Sequence, residues 1–129
     1  MKRTLLFATL VSLVFTSCFV IDENILPVVG IYRAHIVGVA GPFDLIISTD
    51  RRDDVIIEAP FDGDYWYTLK ADIDDQTKRI IDIDIHSQQI DQGIMIKGDG
   101  FFVNGTLELR YTMKFGSETV NFKLVATKL

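Results

Sequence analysis

The fold is decided by the stretch NGTLELRYTMKF, residues 104–115. Asn104-Gly105 is a dipeptide that two-residue hairpin turns favour, because both residues tolerate the positive φ that such turns require. The residues that follow alternate, with Leu107, Leu109, Tyr111, Met113 and Phe115 on one face and Glu108, Arg110, Thr112 and Lys114 on the other. A period of two residues is typical of a half-buried strand. The stretch therefore predicts a strand with one apolar face, entered through a tight hairpin.

The same alternation recurs from Val28 onward, interrupted roughly every ten residues by glycine, aspartate or asparagine. It predicts strands over residues 28–39, 42–49, 54–60, 64–73, 79–86, 93–103, 106–115 and 119–127. Asp62-Gly63 predicts another hairpin turn, and Gly98-Asp99-Gly100 predicts a bulge or bend because two glycines weaken a straight strand. Since no stretch carries a helical stripe, we expect an all-β domain.

A flat sheet of about eight such strands would leave two unpaired edges and one apolar face exposed. We therefore expect an antiparallel meander over residues 28–129 that closes into a small calycin-like barrel. The alternation points one set of aromatic residues inward: Phe43, Tyr65, Tyr67, Tyr111, Phe115 and Phe122. With about eight strands, such a barrel is either filled by its own side chains or holds one small ligand.

The N-terminus has the three regions of a bacterial secretion signal. Lys2 and Arg3 precede the apolar run 5–15, and small Thr16-Ser17 lead to Cys18. The run is shorter than the ~20 apolar residues of a membrane-spanning helix. We predict a signal peptide over residues 1–17, lipid attachment at Cys18 and a lipidated tether over residues 18–27. The alternative is an ordinary cysteine in a signal that is cut elsewhere.

Cys18 is the only cysteine, so no disulfide framework can form within the chain. Removing residues 1–17 takes away Lys2 and Arg3 and moves the net charge from −5 to −7. An acidic chain repels nucleic acid and anionic lipid, so we expect no nucleic-acid partner and a membrane partner only through the anchor. The predicted localisation is the cell envelope, on the outer membrane, with the periplasmic or surface face left open.

The chain resembles the short lipocalin-like, calycin-type lipoproteins of Bacteroidota. The resemblance is carried by Cys18 with its signal, Gly30-Ile31-Tyr32, the Gly98-Asp99-Gly100 break, and the strand from Leu107 to Phe115. It implies a lipid-anchored barrel with a lumen that can take a small apolar molecule.

Two binding hypotheses follow. In the first, Tyr65, Tyr67, Tyr111 and Phe115 line a lumen that buries a small apolar ligand. In the second, the barrel is solid and acts as a structural, protein-binding or glycan-binding module through its outer surface around Trp66, since an exposed tryptophan suits both kinds of partner. Burial of Trp66 under a loop or the tether is the competing interpretation.

No catalytic or cofactor pattern stands out, and we expect no enzyme activity, no cofactor and no metal. His86, Asp82 and Asp84 share one strand face, but side chains in line along a strand are ~7 Å apart, too far for one ion. Asp72, Asp74 and Asp75 lack the full calcium-loop pattern. A nucleophile elbow of the Gly-x-Ser-x-Gly type is absent from the sequence.

Overall fold

The computed structural model describes residues 25–74 and 79–129. Eight strands follow one another along the chain: β1 Gly30–Ile36, β2 Ala40–Thr49, β3 Asp54–Ala59, β4 Tyr67–Asp74, β5 Ile81–Asp91, β6 Ile94–Val103, β7 Thr106–Phe115 and β8 Glu118–Lys128. The predicted signal peptide and Cys18 lie outside the described residues. Within the described part of the chain, no helix has the length and apolar character of a membrane span.

Each strand pairs antiparallel with the next, and β8 pairs with β1, so the sheet is a closed barrel. The predicted all-β, eight-stranded meander is confirmed. The hairpin at residues 104–105 is confirmed as well: Asn104 and Gly105 have φ of 50° and 78°, and Val103 faces Thr106 across the turn. Positive φ at both turn residues matches the right-handed twist of the two strands.

The core lies inside the barrel and follows the period-two pattern. In β7, for example, Leu107, Leu109, Tyr111 and Met113 are buried while Arg110 and Lys114 are exposed. The core also reaches back into the segment predicted as a tether, because Ile25 is fully buried. Its carbonyl accepts a hydrogen bond from the Val28 amide at 3.0 Å, and Ile25 packs into the core cluster.

The inward placement of Tyr65 is wrong: its side chain is 70% exposed. The reason is a local turn that delays the start of β4 from the predicted residue 64 to Tyr67. The Asp62 carboxylate accepts hydrogen bonds from the Asp64 and Tyr65 amides, both at 2.8 Å. Aspartate commonly stabilises a turn in this way, and here the turn keeps Tyr65 in the loop.

The predicted irregularity at Gly98-Asp99-Gly100 falls on the neighbouring strand instead. β6 keeps a continuous register with β7 through these residues, whereas β5 places both His86 and Ser87 between its pairs Ile85–Gly98 and Gln88–Ile96. Gly98 and Gly100 allow β6 and β7 to approach each other closely. A Cβ on Gly98 would lie 2.6 Å from Tyr111 Cα, and one on Gly100 would lie 2.6 Å from Leu109 Cδ2.

Within the described residues, β4 and β5 pair through Asp72–Asp84, Ile73–Ile83 and Asp74–Asp82. Beyond these pairs a side chain replaces the backbone ladder. Gln88 accepts a hydrogen bond from the Lys70 amide at 2.9 Å and donates one to the Lys70 carbonyl at 2.8 Å. The primary amide of Gln88 thus acts as a substitute peptide group between the two strands.

Candidate functional site

Two of the predicted lumen residues, Tyr67 and Tyr111, are buried inside the barrel. Both hydroxyls are already used by the protein. Tyr67 donates to Asp62 Oδ2 at 2.9 Å, and Tyr111 donates to the Phe61 carbonyl at 2.7 Å. Burial raises the pKa of Tyr111, and burial with the Asp62 hydrogen bond raises the pKa of Tyr67 to about 12. Both hydroxyls therefore form hydrogen bonds within the protein that link the barrel wall to the β3–β4 loop.

The interior also contains three aromatic residues that the site prediction missed: Tyr32, Phe61 and Phe102. Tyr32 is fully buried, donates to the Val28 carbonyl, and meets Phe102 edge to face with ring centroids 6.2 Å apart. Phe61 is fully buried and packs edge to face on Tyr111, with centroids 5.6 Å apart. The only sequence signal for Phe61 was its position before the Asp62-Gly63 turn, which did not show that the loop folds inward.

Phe61 belongs to the β3–β4 loop, residues 60–66, which lies at the same end of the barrel as residues 37–39, 92–93 and 116–117. We call this the Trp66 end. The opposite end, which we call the Ile25 end, holds residues 25–29 and the turns at residues 50–53 and 104–105. Phe61 packs inside the Trp66 end, where its ring contacts Tyr111.

The remaining predicted lumen residue, Phe115, is only partly buried, as are Phe43 and Phe122. Phe122 stacks on Tyr111 with centroids 5.5 Å apart and an interplanar angle of 28°. The structure thus brings Tyr111, Phe61 and Phe122 into one aromatic cluster. It splits the predicted set, with Tyr67 and Tyr111 inside, Phe115 at the margin and Tyr65 in solvent.

Four exposed apolar side chains stand on the loops of the Trp66 end and form what we call the aromatic rim: Val37, Val39, Tyr65 and Trp66. Trp66 is 51% exposed, so its indole is not covered by a loop within the described residues. The two loops touch, because a Cβ on Gly63 would lie 3.0 Å from Val39 Cγ1. The rim is therefore a single surface and not two separate tips.

The loops of the Trp66 end carry charges of one sign. The loops of the Trp66 end and the residues flanking them contribute Asp62, Asp64, Asp91 and Glu118, and residues 37–39, 60–66, 91–93 and 116–118 contain no lysine or arginine. Asp62 is engaged by the turn and by Tyr67. The other three carboxylates surround the rim with negative charge.

A second unusual feature lies on the outer wall, where four aspartates stand in direct register across neighbouring strands. Asp54 faces Asp72, Asp72 faces Asp84, and Asp84 faces Asp99. Like charges in directly opposite positions destabilise a sheet. We call these four residues the aspartate row.

Protonation relieves part of this repulsion. A hydrogen bond to Asp72 raises the pKa of Asp54 to about 6, while the bonds from Asp54 and His86 lower the pKa of Asp72. The His86 ring is hydrogen-bonded to Asp72, and this contact, with Asp84 nearby, raises the pKa of His86. Among the described residues, no group of three or more histidine, cysteine or acidic side chains is arranged to hold a metal ion.

Comparison with known proteins adds no relative, since no family model, no curated protein and no solved structure matches the chain. The resemblance to short lipocalin-like lipoproteins therefore stays a prediction. The chain is, on its own structure, a small closed eight-stranded antiparallel β-barrel.

Proposed function

We propose that this protein is an exported, lipid-anchored barrel with a solid interior, and that it acts by binding a protein partner through the aromatic rim. The observation that carries the proposal is the contrast at the Trp66 end: Phe61 is fully buried and fills the interior, while Tyr65 and Trp66 in the same loop stand in solvent. A ligand in the lumen would have to displace Phe61 and break the hydrogen bond from Tyr111 to its carbonyl.

The chemistry of the rim favours a protein partner with basic residues. Exposed aromatic and aliphatic side chains surrounded by charged groups are typical of the centre and margin of a protein interface. Val37 and Val39 suit apolar side chains of a partner better than the hydroxyls of a sugar. The carboxylates of Asp64, Asp91 and Glu118 attract lysine or arginine and repel acidic surfaces.

The proposed anchor would orient this surface. Cys18 precedes Ile25 by seven residues, a stretch that spans at most about 25 Å. Ile25 lies at the end of the barrel opposite the rim, where Lys128 Nζ also donates to the Pro27 carbonyl at 2.8 Å. An anchor on Cys18 would therefore keep the Ile25 end near the membrane and direct the aromatic rim away from it.

The anchor and the solid interior can be tested together by mass spectrometry of the protein purified from its host. Under denaturing conditions we expect the mass of residues 18–129 plus a diacylglyceryl group and an N-acyl chain. Under native conditions we expect no additional small molecule, because the lumen is full. An unmodified Cys18 thiol would refute the anchor, and a co-purified apolar ligand would refute the solid interior.

The rim can be tested by placing a photo-reactive phenylalanine analogue at position 66 in the host, with position 26 as the control. Leu26 is exposed to the same extent as Trp66 but lies at the Ile25 end. We expect one discrete protein adduct from position 66 and none from position 26. Trp66→Ala should then weaken binding of that purified partner by about 30-fold, as loss of an aromatic anchor does, while Leu26→Ala should not. Equal crosslinking from both positions, or an adduct to glycan, would contradict the proposal.

A further inference from the structure

A second group of exposed apolar side chains lies at the Ile25 end, opposite the aromatic rim, and we call it the apolar patch: Leu26, Ile31, Ile80 and Leu129. Leu26 belongs to the turn of residues 25–29, and Ile31 is the second residue of β1. Ile80 directly precedes β5, and Leu129 directly follows β8. Because β1 and β5 begin and β8 ends at the same end of the barrel, the four side chains gather there.

Three members of the apolar patch stand side by side. The Leu129 amide donates to the Ile31 carbonyl at 3.0 Å. Lys128 Nζ donates to the carbonyl of Pro27, the neighbour of Leu26, at 2.8 Å. The fourth member precedes β5, which lies opposite β1 in the closed barrel. The Ile25 end therefore carries apolar groups on two opposite sides.

Cations accompany the apolar patch, since Arg51, Arg52 and Arg79 are all exposed at this end. Acidic residues are present as well, but Asp50 lies 3.7 Å from Lys70 Nζ. The Trp66 end, by contrast, has carboxylates and no lysine or arginine in its loops. Lipid phosphates attract cations and repel carboxylates, so the Ile25 end suits a bilayer surface and the aromatic rim does not.

We propose that the Ile25 end enters the surface of the bilayer, with the apolar patch at the boundary between headgroups and acyl chains and the arginines on lipid phosphates. Interfacial protein segments combine apolar and basic groups in this way, and bury the apolar side by about 5–10 Å. The inference rests on the proposed anchor, because Cys18 precedes Ile25 by only seven residues. Such an anchor would hold the patch at the membrane at a high effective concentration, so a weak contact with lipid is sufficient.

This contact would also set the orientation of the barrel. A single attachment point at Cys18 does not fix how far the barrel tilts against the membrane. Apolar groups on opposite sides of the Ile25 end resist tilting, because a tilt returns one side from lipid to water. The aromatic rim would then be held away from the membrane, in reach of its partner.

The test measures tryptophan fluorescence in the full chain as its host processes it, purified in detergent and reconstituted into phosphatidylcholine vesicles at high dilution in lipid. Trp66 is the only tryptophan, so Trp66→Phe combined with Leu26→Trp moves the fluorophore to the apolar patch. Part of the lipid carries bromine near the headgroup end of its acyl chains, and bromine quenches tryptophan on contact. We expect about twofold quenching at position 26, as for a group at the interfacial depth, and none of Trp66 in the parent.

A pair of charge substitutions tests whether the apolar patch makes this contact. Adding Ile31→Asp and Leu129→Asp to the variant with Leu26→Trp should abolish most of the quenching, because a carboxylate is costly to bury in an apolar medium. The matched pair at the aromatic rim, Val37→Asp with Val39→Asp, should leave the quenching unchanged. Thermal melts of each variant check that the barrel is intact.

Flotation of the vesicles on a density gradient separates this inference from the proposed anchor. Protein that floats with the vesicles but is not quenched at position 26 would overturn the lipid contact and leave the anchor standing. Protein that does not float and has an unmodified Cys18 would refute the anchor on which the inference rests. A blue-shifted emission without bromine quenching would overturn the inference as well, since residues 19–24 or a second copy of the chain would then cover the patch. Equal quenching at positions 26 and 66 would contradict the orientation.

Discussion

At the scale of single residues, the outer wall of the barrel places aspartate side chains directly opposite each other, and like charges in such positions repel. Asp54 and Asp72 face each other in register and share a hydrogen bond, which requires one of them to carry the proton. The raised pKa of Asp54 and the lowered pKa of Asp72 favour Asp54 as the protonated partner below about pH 6. His86 binds the other side of Asp72, so a proton donor stands on each side of that carboxylate.

The direction of the pH effect follows from the raised pKa of Asp54. The folded protein holds this proton more tightly than the unfolded chain, so this contribution to stability is complete below about pH 4. It is lost as the pH rises through about 6. Asp54→Asn keeps a donor toward Asp72 and removes the charge. We expect the variant to melt about 3 °C higher than the parent at pH 7.5, for a relief of roughly 0.5–1 kcal/mol.

The gain should disappear at pH 4, where Asp54 itself is protonated. The matched control is Asp44→Asn on β2, whose carboxylate lies 3.4 Å from Arg33 Nε and outside the aspartate row; it should give no gain at pH 7.5. Equal melting temperatures of Asp54→Asn and the parent at both pH values would contradict this account of Asp54.

At the scale of elements, the β3–β4 loop has two faces with different roles. One face inserts Phe61 into the barrel, and the other presents Tyr65 and Trp66 to solvent. The Asp62 carboxylate joins them, since it accepts from two loop amides and from the Tyr67 hydroxyl. The loop therefore contributes Phe61 to the core and also positions the aromatic rim.

Because Phe61 is buried, its replacement by alanine should have a large effect on stability. Phe61→Ala removes a fully buried ring that packs on Tyr111, and we expect it to lower the free energy of unfolding by about 3–5 kcal/mol in urea denaturation. Tyr65→Ala, four residues later and exposed, should change it by no more than about 0.5 kcal/mol. If the two variants were equally stable, Phe61 would not be part of the core and a lumen ligand would again be plausible.

The strands themselves were largely predictable, and their irregularities were not. Period-two alternation located all eight strands, and the bounds of β7 match to the residue. The same pattern did not show that β5 continues to Asp91 through a bulge at His86 and Ser87. A bulge depends on the pairing with β6, which a single strand's sequence does not contain. Gly98 and Gly100 did signal a special site, but as a close approach between strands.

At the scale of the whole molecule, the two ends of the barrel differ in composition. The Trp66 end carries exposed aromatic residues surrounded by acidic groups, and its flanking loops hold no basic residue. The Ile25 end combines acidic residues with Arg51, Arg52 and Lys128. Part of the net negative charge therefore lies where the partner is proposed to bind. The antiparallel meander produces this polarity, because alternate turns gather at the same end.

The candidate site was only partly predictable for the same reason. The sequence left Trp66 either exposed or covered by a loop, and the structure leaves it 51% exposed. Val37 and Val39 reach the rim only through folding. The members of the aspartate row come from four strands, and their alignment exists only in the register of the sheet. No local pattern in the chain carries that information.

The sequence by itself determined that this protein is an antiparallel β-barrel. Alternation and turn residues depend only on neighbouring positions, so they can be recognised in the sequence alone. Only the tertiary structure decided which aromatic residues are buried inside the barrel. Whether an aromatic residue points into the lumen depends on where its strand starts and on which loop covers the end. The local Asp62 turn keeps Tyr65 in the loop. Phe61 is buried through its contacts with Tyr111, which lies 50 residues further along the chain.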